Sequence, residues 1–96
     1  MYILVTYDIY TKTPAGKKRL RDAAKVCLNF GQRVQNSVFE LSIDPAQWAD
    51  CRNQLLGIIN KEEDSVRFYM LGSEWREKVE HQGVKPGFDV DGPLIV

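Results

Sequence analysis

Residues 2–9 read YILVTYDI, a run that is apolar at successive positions and carries a carboxylate, Asp8, near its far end. A strand of this kind is typical of a sheet that is covered on both faces. An ionised carboxylate in such surroundings needs a partner. Asp8 either caps a turn or pairs with a nearby basic side chain, or it holds a divalent cation where the chain leaves the sheet.

Composition limits the class of protein. A chain of 96 residues is expected to form one domain with a modest core, to which self-association would add burial. Lys+Arg and Asp+Glu both number 13, so nucleic acid binding would depend on local clusters of positive charge. No apolar run approaches the length of a membrane span, and no secretion signal is present. We therefore expect a cytoplasmic protein without a membrane partner.

Two cap signals predict two helices. Thr13-Pro14 and Asp44-Pro45 each place an N-cap side chain before a proline at the first helical position. The helices are predicted to run to about residues 30 and 60. On the first of them, the apolar face is predicted to include Leu20, Ala23, Ala24, Cys27 and Leu28.

Cys27 and Cys51 have no Cys-x-x-Cys or Cys/His neighbours, so we expect both to be buried thiols in a reducing compartment.

The segments around the helices have strand patterns. Strands are predicted at residues 33–43, with an irregularity near Ser37, and at 65–71, with a weaker edge strand at 78–82. This order favours an α+β fold, a ferredoxin-like βαββαβ sandwich with both helices on one face of the sheet. The strands at residues 2–9 and 65–71 are predicted to form a parallel central pair, because both are apolar at successive positions.

The sheet face opposite the helices needs a cover. A second copy packed sheet against sheet is the simplest one, so we predict a face-to-face homodimer. The chain is divided into a domain at residues 1–83 and a tail at 84–96 that ends in the apolar run PLIV. This end would add a C-terminal strand to a sheet edge, in its own subunit or its partner's, or would pack back locally.

A homodimer changes the interpretation of Asp8. One carboxylate does not hold Mg²⁺ firmly, whereas two carboxylates that converge from two subunits would do so together with water. The ion would polarise a phosphoryl oxygen and activate a bound water, which is the chemistry of a phosphodiester endonuclease. Asp8 is therefore the predicted catalytic and metal-binding residue, with Mg²⁺ as the ion and Mn²⁺ as its substitute.

Positive charge is concentrated next to Asp8 in the chain. Residues 12–25 contain six basic side chains, and Asp22 is the only acid among them. A solvated helix face and a phosphate-binding surface both fit this pattern. Arg33, at the start of the second predicted strand, could contact phosphate or form a surface ion pair. The candidate nucleic acid-binding residues are Lys18, Arg19, Arg21, Lys25 and Arg33.

Three segments together resemble the Cas-two family of CRISPR-associated proteins. They are Tyr7-Asp8, the run GQRVQNSVFE at residues 31–40 and the run RFYML at 67–71. The likeness covers essentially the whole chain and is strongest to a type I-C-like branch. It implies a homodimer of ferredoxin-like subunits whose strand-end aspartates bind Mg²⁺ at the interface. It places Tyr7 beside the metal ligand, and Arg33, Ser37 and Phe39 in a motif near the cleft.

The resemblance implies one of two functions. The first is a Mg²⁺-dependent endonuclease that acts on double-stranded DNA or single-stranded RNA. The second is a non-catalytic DNA-binding scaffold of spacer acquisition, which works beside a larger CRISPR integrase subunit. Residues 10–16 form a longer loop than many relatives have, so either Arg19 or Arg21 would take the role of the family's arginine. A third function, an RNA-binding module, would require Phe68 and Tyr69 to be exposed for base stacking.

Overall fold

The computed structural model describes residues 1–72, 74, 77 and 79–83, and six main elements follow one another within them. The strands are β1 (Tyr2–Asp8), β2 (Gln32–Gln35), β3 (Val38–Ser42) and β4 (Ser65–Met70). The helices are α1 (Pro14–Phe30) and α2 (Pro45–Ile58). The predicted α+β class and the ferredoxin-like order βαββαβ are confirmed.

The predicted parallel pairing of the strands is wrong. The sheet order is β2-β3-β1-β4, and β1 runs antiparallel to both of its neighbours. The crossover through α1 makes β1 and β2 point the same way, and β3 is inserted between them. The prediction failed because an apolar run reports the burial of a strand and carries no information about its direction.

The single strand predicted at residues 33–43 is a hairpin of β2 and β3. Asn36 and Ser37 form the turn between them, and Arg33 lies opposite Phe39 in the register. A shift in the register lies between Arg33 and Gln35. The irregularity predicted near Ser37 is therefore real, but it is a reversal of the chain. The turn carries no glycine or proline, which are the usual signals of a hairpin.

Both helices begin at the predicted caps. The Thr13 hydroxyl accepts a hydrogen bond from the Gly16 N–H at 3.0 Å, and Asp44 and Gln47 form a reciprocal capping box at α2. The buried positions of α1 include Ala23, Val26 and Cys27. Leu28 was predicted to be buried but is 50% exposed, because the face that meets the sheet is centred on Val26 and Cys27.

The core lies between the helices and one face of the sheet. Its fully buried side chains are Ile3, Val5, Cys27, Phe39, Leu41, Cys51 and Leu55, with Ala23 beside them. Both thiols are free and buried, as predicted. Burial raises the pKa of Cys27 to about 12 and that of Cys51 to about 11, so both remain protonated at neutral pH.

The opposite face of the sheet has no helix over it within the described part of the chain. This helix-free face carries Leu4, Thr6, Asp8, Val38, Glu40, Arg67 and Tyr69, which alternate with the core residues along their strands.

The edge strand predicted at residues 78–82 is not observed at positions 79–82, and residue 78 lies outside the described residues. The predicted tail at 84–96 also lies outside them. No described helix has the length and apolar character that crossing a bilayer requires.

Candidate functional site

Asp8 is the last residue of β1 and is exposed on the helix-free face. It lies opposite Ser65 in the register. Tyr7 and Ile9, its neighbours in the chain, are each only 6% exposed and anchor the strand end in the core. Within the described residues, no hydrogen bond or ion pair uses the Asp8 carboxylate. Its oxygens are therefore available to a ligand.

The donor set of one subunit is small. The described residues contain no group of three or more His, Cys, Asp or Glu side chains that could hold a metal ion. Mg²⁺ accepts one or two carboxylates and retains several waters. The exposed Asp8 carboxylate is thus one donor of the kind that such an ion takes, and most of the remaining positions would be water.

Tyr7, Phe39 and Arg33 form a stack on the helix side of the sheet. The rings of Tyr7 and Phe39 are 5.9 Å apart, and the Arg33 guanidinium carbon lies 5.1 Å from the centroid of the Phe39 ring. Phe39 is fully buried. The predicted motif residues Tyr7, Arg33 and Phe39 are thus on the opposite face from Asp8. Ser37 lies nearer to the strand end, where its carbonyl oxygen accepts a hydrogen bond from the Tyr7 N–H at 3.1 Å.

Two polar atoms of this stack are buried without a hydrogen bond to any described residue. They are the Tyr7 hydroxyl and Arg33 Nε. Burial raises the pKa of Tyr7, and Cys27 adds to the rise, whereas the nearby Arg33 charge opposes it. The Arg33 guanidinium is thus close enough to the Tyr7 hydroxyl to favour its ionised form, although burial outweighs this effect. Arg33 packs over an aromatic ring, an arrangement that stabilises its charge in the fold.

The candidate basic residues of α1 differ in their surroundings. Lys18, Arg21 and Lys25 are exposed. The Lys18 ammonium lies 2.6 Å from Asp22 Oδ2 and lowers the pKa of Asp22 through this hydrogen bond. Because an exposed pair of this kind is weak, Lys18 can exchange its partner for a phosphate. Arg21 and Lys25 lie with it on the solvent side of the helix.

The Arg19 side chain is held within the fold by two ion pairs. Its side chain is 16% exposed, and Nε lies 2.8 Å from Asp64 Oδ2 while Nη2 lies 2.9 Å from Glu63 Oε2. Of the two arginines that sequence left as alternatives, Arg21 is therefore the one that is exposed at the surface.

Sequence reasoning missed Asp64 and Arg67. The Asp64 side chain has no exposed surface, although its residue type and its place in the charged turn at residues 61–64 resemble those of its neighbours. Arg67 lies on the helix-free face opposite Thr6, with Nη1 3.3 Å from the Tyr69 hydroxyl oxygen. Only the register of β1 against β4 shows that Arg67 shares a face with Asp8.

The aromatic side chains of β4 do not form a stacking platform. Phe68 packs against Trp48 on the core side, with ring centroids 4.9 Å apart at 82°. Tyr69 points to the other face and is 42% exposed. The two rings that an RNA-binding module would need together are thus on opposite faces of the sheet.

Comparison with known proteins agrees with this geometry. The family described as CRISPR associated protein Cas2 matches residues 1–79. This chain belongs to the Cas2 family. It is 53% identical over 96 residues to a CRISPR-associated endoribonuclease Cas2 of Nitratidesulfovibrio vulgaris, covering 100% of this chain and 94% of that protein. It is 50% identical over 95 residues to a CRISPR-associated endonuclease Cas2 of Halalkalibacterium halodurans, covering 99% of each.

A solved Cas2 structure has the same fold. The crystal structure of Streptococcus pyogenes Cas2 matches with a TM-score of 0.76 at 55% sequence identity, covering 86% of this chain and 100% of that one. The family resemblance inferred from the Tyr7-Asp8 pair and the run at residues 31–40 is confirmed.

Proposed function

We propose that this Cas2-family chain is a homodimeric, Mg²⁺-dependent endonuclease of CRISPR spacer acquisition. The observation that carries the proposal is the exposed Asp8 carboxylate, which ends β1 on the helix-free face and is unengaged by described residues. The names of the relatives from N. vulgaris and H. halodurans, an endoribonuclease and an endonuclease, support the cleavage of phosphodiester bonds.

A face-to-face dimer would complete the site. The helix-free face offers Leu4, Thr6, Val38 and Tyr69 for burial, and none of these side chains carries a charge at neutral pH. Packing this face on its copy would bring Asp8 from each subunit to one surface. The two carboxylates would then hold Mg²⁺ or Mn²⁺, which would act as a Lewis acid and lower the pKa of a bound water.

The residues of the chain have separate tasks in this mechanism. Tyr7 and Ile9, both buried, hold the end of β1 so that the Asp8 side chain faces away from the core. Arg21 and Lys25, exposed on α1, bind the phosphates of the substrate backbone and place it on the dimer. Phosphate contacts do not distinguish sugar or base, so double-stranded DNA and single-stranded RNA are both substrates to be assayed.

A non-catalytic scaffold is the second candidate function. One observation favours it, because the described part of a single subunit has no acidic cluster that could hold a metal ion. In this case the exposed cations of α1 would hold duplex DNA beside a CRISPR integrase subunit, and Asp8 would not turn over substrate.

One assay separates the two functions. Wild-type protein, Asp8→Ala and Asp50→Ala are incubated with duplex DNA and with single-stranded RNA, each with Mg²⁺ and with a chelator. Asp50 is an exposed acid on α2 that accepts a hydrogen bond from Gln54, so its variant is a matched control. The endonuclease predicts cleavage by wild type and Asp50→Ala with Mg²⁺ alone, and none by Asp8→Ala.

Two results would contradict the nuclease. Cleavage that persists in Asp8→Ala would assign the activity to another site or to a contaminant. Binding of duplex DNA without cleavage in any condition would favour the scaffold.

A further inference from the structure

We propose that Asp64 is a positioning residue for Asp8 and acts through the backbone of Tyr10. The inference rests on the proposed function, because it concerns the same metal site. Asp64 immediately precedes β4, and the next residue, Ser65, lies opposite Asp8 in the register. Asp8, which ends β1, and Asp64, which precedes β4, therefore lie at the same end of the sheet.

Asp64 holds three parts of the chain together. Its Oδ1 accepts a hydrogen bond from the Tyr10 N–H at 3.0 Å, and its Oδ2 accepts one from the Asn60 N–H at 2.8 Å. Arg19 donates from Nε to Oδ2 at 2.8 Å and from Nη2 to Oδ1 at 3.3 Å. Both oxygens are fully used inside the protein, so the carboxylate is a fixed point to which the loop after β1 is attached.

Asp8 is itself paired with Ser65 of β4, and the backbone is also held on both sides of it in the chain. On the N-terminal side, the Tyr7 N–H donates to the Ser37 carbonyl oxygen at 3.1 Å. On the C-terminal side, the next anchored amide is that of Tyr10, and Asp64 accepts its hydrogen bond. Without Asp64, the segment after Asp8 would lose the hydrogen bond that anchors the Tyr10 amide.

The first turn of α1 packs against the same residue, Tyr10. A Cβ atom added to Gly16 would lie 1.8 Å from the Tyr10 carbonyl oxygen, so only glycine allows this approach. The Tyr10 residue is thus fixed at its N–H by Asp64 and confined at its carbonyl group by Gly16. Tyr10 lies two positions after Asp8, the proposed metal ligand. Restraints on its N–H and its carbonyl group therefore limit the directions in which the Asp8 side chain can point.

The test measures the affinity for Mg²⁺ and does not depend on cleavage. Thermal unfolding of wild type, Asp64→Asn and Glu63→Ala is followed over a series of Mg²⁺ concentrations. The Glu63 side chain contacts Arg19 from the exposed side and, among the described residues, accepts no hydrogen bond from Tyr10 or Asn60, so its variant is the matched control. We expect Asp64→Asn to raise the Mg²⁺ concentration for half-maximal stabilisation by about tenfold or more, the size of effect that a supporting residue has on a metal ligand. Glu63→Ala should leave it within about twofold of wild type.

A structural role alone would give another result. Asp64→Asn would then unfold at a lower temperature in the absence of Mg²⁺ but would keep the wild-type Mg²⁺ midpoint, and this outcome overturns the inference. If wild type and Asp8→Ala both lack a Mg²⁺ response, the proposed function fails and the inference fails with it. A wild-type response together with an unchanged Asp64→Asn midpoint rejects the inference alone.

A milder variant covers the case in which Asp64→Asn does not fold. Arg19→Lys keeps Asp64 and its two backbone donors but removes the bidentate hydrogen bonding of the guanidinium. The inference predicts a raised Mg²⁺ midpoint for Arg19→Lys and faster hydrogen exchange of the Tyr10 amide. An unchanged midpoint with a faster-exchanging Tyr10 amide would show that the anchor does not act on Asp8.

Discussion

Asp8 and Asp64 show how the surroundings divide one residue type into two roles. Asp8 is exposed and its carboxylate is unused within the described residues, whereas the Asp64 side chain is enclosed and accepts hydrogen bonds from Tyr10, Asn60 and Arg19. A carboxylate that remains hydrated is available to bind a cation. One that is saturated by internal donors can only organise the chain around it.

The surroundings of Asp64 predict an acid-dependent loss of stability. Burial alone would raise the pKa of Asp64, but hydrogen bonds from Arg19 and from the Asn60 and Tyr10 amides outweigh it and lower the pKa below its ordinary value of 3.8. The native state therefore binds the proton less tightly than the unfolded state. The stabilisation is fully present above the unfolded pKa and is lost as the pH falls through the lowered native pKa.

Thermal unfolding between about pH 6 and about pH 2 checks this prediction. We expect the melting temperature of Asp64→Asn to lie below that of wild type by roughly 5 °C or more at pH 6, since a small domain shifts by several degrees per kcal/mol. The difference should shrink at the acid end of the range. Asp50→Asn, on the exposed side of α2, should follow wild type throughout. A gap for Asp64→Asn that persists at pH 2 would contradict the assignment.

At the scale of elements, α1 combines structural and surface roles on one helix. Arg19 joins it to the turn before β4 through Glu63 and Asp64, whereas Arg21 is exposed. Because successive helical residues point in different directions, two arginines two positions apart face different surroundings. Sequence alone left these arginines as alternatives, because the longer loop at residues 10–16 hides which of them corresponds to the family's arginine.

The two arginines should respond differently to removal. We expect Arg21→Ala to weaken duplex DNA binding and to reduce the slope of log K against log salt by about 0.9, the contribution of one phosphate contact. Its melting temperature should equal that of wild type. Arg19→Ala should lower the melting temperature because Asp64 loses its charged partner. Binding titrations at several salt concentrations, with melting curves on the same samples, measure both effects. Equal salt slopes for wild type and Arg21→Ala would remove Arg21 from the interface.

Local signals predict elements well and their pairing poorly. The cap-and-proline pairs Thr13-Pro14 and Asp44-Pro45 place both helix starts correctly, because the cap is a contact between residues three apart. The hairpin turn at Asn36 and Ser37 was missed, since it lacks a glycine. The direction of β4 was also missed, because a strand's partner is chosen by contacts distant in sequence.

The residues of the candidate site also differ in whether local sequence predicts their surroundings. Asp8 was predictable because a single carboxylate closes an otherwise apolar strand. Asp64 was not, because its enclosure depends on Arg19, 45 residues earlier in the chain. Arg33 and Phe39 were predicted near the cleft, and the structure places them on the helix side of the sheet, where Phe39 is fully buried.

At the scale of the whole molecule, the question is whether the helix-free face is stable in water or needs a second subunit to cover it. Leu4 and Tyr69 lie opposite each other on this face, and no described helix covers them. An antiparallel sheet can leave one face in water, but then the strands alternate strictly between apolar and polar residues. On β1 that alternation is interrupted by Leu4, which is half-buried on the outer side. The second subunit of the proposed dimer would account for this residue.

A charge on this face should separate the subunits. We expect Leu4→Lys to raise the dimer dissociation constant by at least about tenfold, which corresponds to ~1.4 kcal/mol, because the interface would have to desolvate an ammonium group. The Mg²⁺-dependent rise in melting temperature should disappear with the dimer, since each Asp8 would be left without its partner. Analytical ultracentrifugation at several protein concentrations measures the first effect, and melting curves measure the second.

Leu28→Lys is the matched control for this substitution. Leu28 is also a leucine on a regular element, but it lies on α1 and is 50% exposed, away from the helix-free face. The same change of charge there should leave the dissociation constant and the Mg²⁺ response unaltered. If wild type sediments as a single chain at every concentration, or if Leu4→Lys dimerises as tightly as Leu28→Lys, the sheet-to-sheet dimer is wrong. The pairing of two Asp8 carboxylates would then have no structural basis.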